Sequence, residues 1–70
     1  MNLRETKLYK KLDTYIACSY AEGFCEGANA TEQEQLIAWQ YIYDKKLYSG
    51  LQGWYGRTCE SLLKNGYIDR

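Results

Sequence analysis

The chain has 70 residues, with nine Lys and Arg against nine Asp and Glu. A chain of this size buries only ~60% of the surface its unfolded form exposes, so one domain with a small core is expected. No apolar run approaches the ~20 residues needed to span a bilayer, which excludes a membrane-spanning role, and the balanced charge argues against broad binding of a polyanion.

The chain contains no proline, which favours uninterrupted helices. The first helical pattern runs over roughly residues 4–26. Tyr9, Leu12, Ile16, Tyr20 and Phe24 recur every three or four positions and share one face, widened by Leu8, Tyr15 and Ala21. Gly27 is the expected stop.

The second pattern covers roughly 32–48. Thr31-Glu32-Gln33-Glu34 reads as a capping box, with acids placed at the positive end of the helix dipole. Leu36, Trp39, Tyr43 and Leu47 then predict one buried face, with Lys45 and Lys46 near the end.

The third pattern covers roughly 50–65. Ser49-Gly50-Leu51-Gln52 resembles a second capping box. Leu51, Tyr55, Thr58, Cys59, Leu62 and Leu63 form the apolar face. Gly66 reads as a left-handed stop, with Tyr67 or Ile68 folding back behind it. The expected fold is therefore all-α: a compact three-helix domain over 1–70 whose last two helices form a tight helix-turn-helix hairpin.

Charge is segregated along the chain. Residues 1–12 are mostly basic. Residues 13–44 carry Asp13, Glu22, Glu26, Glu32, Glu34 and Asp44 with no base, and residues 45–70 are again mostly basic. Such a layout suits intramolecular pairing or head-to-tail association. Aromatic residues are 16% of the chain, eight of them Tyr, more than a core of this size can hide. Tyr and Trp also dominate binding hot spots.

Catalytic chemistry has little to stand on. There is no histidine for general-base work, and no nucleophile has a partner by spacing. Cys18, Cys25 and Cys59 are odd in number and read as reduced thiols packed as small apolar groups in a cytoplasmic protein. On one helix Cys18 and Cys25 would lie ~10 Å apart along the axis, too far to share a tetrahedral ion. A non-enzyme without cofactor or metal is expected.

The densest motif is Leu51-Gln52-Gly53-Trp54-Tyr55-Gly56-Arg57-Thr58, in which Gln52 to Arg57 are the candidate binding residues, with Lys64 two turns beyond Arg57. Two glycines in one helix each cost ~1 kcal/mol relative to Ala, so something should offset them. Gly53 and Gly56 share a side of the helix. They mark either close helix packing or a binding notch flanked by Trp54, Tyr55 and Arg57. Arg57 beside aromatics could hold an anion or stack on a base. Three uses of this site are open: docking of a protein, entry of residues 51–65 into DNA as a recognition helix, or a nucleotide-binding sponge.

Residues 39–68 carry a further pattern: Trp39-Gln40, Ile42, Asp44, Leu47, then Leu51-Gln52-Gly53-Trp54-Tyr55-Gly56-Arg57-Thr58, Leu62-Leu63, Gly66 and Tyr67-Ile68. It resembles a family of short phage and prophage-associated proteins of unknown function. The resemblance implies a setting, that of a phage or prophage accessory protein in the host cytoplasm, and not an activity; with the small size, the excess of Tyr and Trp and the missing catalytic groups, binding of a host or phage protein is the expectation. A marginal core also makes self-association an expectation.

Overall fold

The structure is a computed structural model that describes residues 2–50 and 53–70. Among the described residues there are four α-helices: α1 (Lys7–Lys11), α2 (Thr14–Glu22), α3 (Glu32–Asp44) and α4 (Gly53–Lys64). Short 3-10 turns lie at Leu3–Glu5, Cys25–Gly27 and Leu47–Gly50, and no strand occurs among the described residues. The fold is all-α, and none of these helices is long and apolar enough to cross a membrane.

The first predicted helix is two helices. Thr6 caps α1 by accepting from the Tyr9 N–H at 3.2 Å. The chain then leaves helical geometry at Leu12, whose ψ is 146°. Asp13 opens α2, its carboxylate accepting from the Ile16 N–H at 2.8 Å. The break turns Leu12 into the core. It also lets α1 fold against α3 rather than run on past it. A left-handed Gly23 (φ 77°) ends α2 well before Gly27, with the N–H groups of Gly23 and Phe24 both donating to Ser19 O. Gly27 has a different role: a Cβ there would lie inside the backbone of Ser19 and Tyr20.

The central helix is α3, which touches every other helix. Its capping box is formed as expected: the Glu34 N–H donates to Thr31 Oγ1 at 3.1 Å and the Thr31 N–H to Glu34 Oε1 at 2.8 Å. Its buried side chains are Ile37, Ala38, Trp39, Gln40 and Ile42, while Leu36, Tyr43 and Leu47 are only half-buried. A single-stripe reading assumes one packing partner, and α3 is covered from several sides. The helix ends at Asp44, short of the predicted Tyr48. Lys46 adopts φ 55° and turns the chain into the 3-10 turn Leu47–Gly50. Tyr48 stacks on Tyr43 (centroids 6.2 Å, planes 12° apart) and holds that turn against α3.

Residues 45–50 thus leave α3 through a turn and a 3-10 turn, so the link to α4 is longer than the tight hairpin expected. The second expected capping box involves Leu51 and Gln52, which lie outside the described residues. Ser49, its expected cap, donates its hydroxyl to Lys46 O at 2.8 Å. At the far end of α4 the left-handed stop is as predicted. Gly66 has φ 77°, its N–H donates to Leu63 O at 3.1 Å, and the Tyr67 N–H donates to Leu62 O at 2.9 Å. This is the paired bonding of a Schellman motif. Ile68, not Tyr67, is the residue that folds back into the core: it is 2% exposed, against 56% for Tyr67.

Candidate functional site

The predicted notch on α4 divides into an inner and an outer half. Tyr55 is buried, and its hydroxyl donates to the Glu22 carboxylate on α2. Burial, with that bond, drives the phenol pKa upward. Trp54 is half-buried, and its ring lies 4.4 Å from that of Tyr55 and 5.8 Å, edge-on, from that of Trp39. Trp39 and Tyr55 lie 5.4 Å apart. The aromatics of the motif thus dock α4 onto α3 and α2 and do not wall a groove.

The outer half keeps Gly53, Gly56, Arg57 and Lys64. Arg57, Glu60, Ser61 and Lys64 line an open hollow of about 250 Å³ along one face of α4. Glu60 stands between the two cations, so the face is not single-signed. Close packing does not explain the glycines. A Cβ at Gly53 would meet Arg57 Nη1 at 3.5 Å, and one at Gly56 would meet Tyr48 Cδ2 at 3.9 Å, both ordinary contacts. Gln52 lies outside the described residues.

Gln40 and Asp44 form a polar clasp with Arg4 and Tyr9. The Asp44 carboxylate accepts from Arg4 Nε at 2.7 Å, Arg4 Nη2 at 2.8 Å, Tyr9 Oη at 2.7 Å and Gln40 Nε2 at 3.0 Å. Burial alone would raise its pKa; the bonds from Arg4, Tyr9 and Gln40 outweigh burial and hold it below the usual carboxylate value. The Tyr9 phenol is pushed up to about 12, by burial first and then by its bond to Asp44. Arg4 Nη2 and Gln40 Nε2 also donate to Asp69 O, at 2.8 and 2.7 Å. These groups consume one another's hydrogen-bonding capacity and tie the segments around Arg4 and Asp69 to α3.

The thiols separate by environment. Cys59 is buried and pushed up to about 11 by desolvation. Cys18 is half-buried. Cys25 is exposed, which corrects its expected place among packed apolar groups. Among the described residues no group of three His, Cys, Asp or Glu could hold a metal ion.

One surface went unnoticed in the sequence. Tyr15 and Phe24 were expected on the buried stripe, yet they are 54% and 39% exposed. Their rings meet edge to face, centroids 6.3 Å apart and planes at 71°. For Phe24 the cause is Gly23, whose left-handed turn ends α2 and takes Phe24 off the helical stripe; Tyr15 lies in the first turn of α2, past the break at Leu12–Asp13. The signal was present as a glycine four residues before the assumed stop. Cys25 follows at φ 48°, a left-handed conformation unusual for a residue with a Cβ. Cys25 first, then burial and after it Glu26, push the Tyr15 pKa up to about 12. Comparison of the chain with protein-family profiles, with curated proteins and with solved structures found no match.

Proposed function

We propose that this chain is a non-enzymatic interaction module that binds another protein through the surface built on Tyr15 and Phe24. The observation that carries the reading is the exposed, mutually supporting aromatic pair. Two rings held against each other present apolar area with little conformational entropy left to lose on binding. The absence of histidine from the sequence and the desolvated Cys59 thiol, a poor nucleophile at neutral pH, favour binding over catalysis. The resemblance to phage-associated proteins makes a host or phage protein the partner to seek.

The test is affinity capture from the host, comparing the wild-type chain with a Tyr15→Ala, Phe24→Ala variant and an Arg57→Ala, Lys64→Ala variant. All four positions are exposed or nearly so, and the fold should survive both changes. The reading expects one captured protein, lost with the first variant and kept with the second. Loss with the second variant alone would move the site to α4.

A further inference from the structure

We propose that the Tyr15–Phe24 corner takes a basic segment of a partner protein, with an arginine or lysine side chain seated against the two rings beside Glu26. The inference rests on the reading of the chain as an interaction module and specifies the partner's chemistry.

Three observations lead to it. The first is shape. Rings at 71° with centroids 6.3 Å apart form an open corner, and the π face of either ring attracts a cation. The second is charge. Residues 13–34 carry Asp13, Glu22, Glu26, Glu32 and Glu34 and no base. Of these, Asp13, Glu22, Glu26 and Glu32 are exposed. Glu26 is exposed two residues after Phe24, so a carboxylate lies in the same turn that displays that ring. An acidic or neutral apolar segment would gain the ring contact without the charge; a basic one gains both.

The third observation is rigidity. The Phe24 N–H donates to Ser19 O at 3.0 Å, and Phe24 O accepts from the Gly27 N–H at 2.8 Å. Gly27 in turn sits against the Ser19 and Tyr20 backbone, where no side chain fits. The turn that displays Phe24 is therefore fixed at both of its main-chain groups. Cys25 holds an unfavourable left-handed conformation within it, and strain of this kind is concentrated at ligand-contacting segments. An aromatic presented from such a turn is organised before the partner arrives.

The experiment uses the full chain under reducing conditions against arrayed synthetic peptides. One set carries isolated Arg or Lys in a Gly-Ser background, one carries Glu at the same positions, and one carries Leu. The proposal expects binding to the Arg and Lys peptides, weakened by added salt. Phe24→Leu keeps an apolar side chain and removes the ring, and should weaken binding about fivefold; Glu26→Gln should do likewise. Both positions are exposed, and circular dichroism verifies that each variant is folded. Binding only of the Glu or Leu sets, or cationic binding unchanged by Phe24→Leu, would overturn this proposal and leave the interaction module standing. A chain that binds none of the peptides, and captures nothing from the host, would remove both.

Discussion

The Gln40 side chain pairs with both main-chain groups of Asp69: the Asp69 N–H donates to Oε1 at 2.7 Å, and Nε2 donates to Asp69 O at 2.7 Å. A carboxamide can stand in for a peptide group, and here it does so from inside the core, with Gln40 fully buried. It fixes the segment after α4 across α3 without forming a strand. Replacing Gln40 by Ala strands the Asp69 N–H and one lone pair of Asp44. The expected cost is about 2–3 kcal/mol, read as a lowered urea midpoint. Gln40→Glu should cost more, because it sets a second carboxylate against Asp44 and removes the amide donor.

Asp44 should give stability a specific dependence on acid. Its folded pKa lies below the ordinary value of 3.8. The contribution is therefore present above the unfolded pKa and is lost as pH falls through the folded one. Urea midpoints should decline from about pH 4 downward, more steeply in the wild type than in Asp44→Asn. At neutral pH Asp44→Asn should be weaker by about 1–2 kcal/mol. The figure is kept modest because the Arg4 side chain is 34% exposed and solvent screens the pair.

The glycines should separate by role. Gly27→Ala forces a Cβ into backbone that cannot yield and should cost about 2–4 kcal/mol. Gly56→Ala meets only ordinary contact and should be neutral or stabilising by up to about 1 kcal/mol, since Ala is the better helix former. Thermal denaturation of both variants checks the pair of claims.

The aromatic motif on α4 should behave as core. Tyr55→Phe keeps the ring against Trp39 and loses only the bond to Glu22, at a cost of about 1 kcal/mol. Tyr55→Ala should cost about 3–5 kcal/mol, so that loss of binding by that variant reports unfolding. Near-ultraviolet circular dichroism distinguishes the two.

Helix content was legible because its signals are local. Thr31 with Glu34, and Gly66 after Asn65, each act within a few residues, and both formed as expected. The break at Leu12–Asp13 also had local signals, in Thr6 and Asp13, but a continuous apolar period masked them. The candidate site was harder to read, because exposure is decided by long-range packing. Trp54 and Tyr55 look like a binding pair in the sequence and are drawn inward by Trp39 and Glu22. Tyr15 and Phe24 look like core and stand exposed: Phe24 leaves the helix at the left-handed Gly23, and Tyr15 lies in the first turn of α2, just past the break at Leu12–Asp13. The clasp could not be read at all, since Arg4, Asp44 and Asp69 are far apart in the chain and meet only in the fold.

The most direct test of binding through the Tyr15–Phe24 surface is photo-crosslinking in living cells from a benzoylphenylalanine placed at position 24, with the same probe at position 61 on the outer face of α4 as comparison. The account predicts a discrete covalent adduct with one protein from position 24 and none from position 61. An adduct from position 61 alone, or no adduct from either, would contradict it.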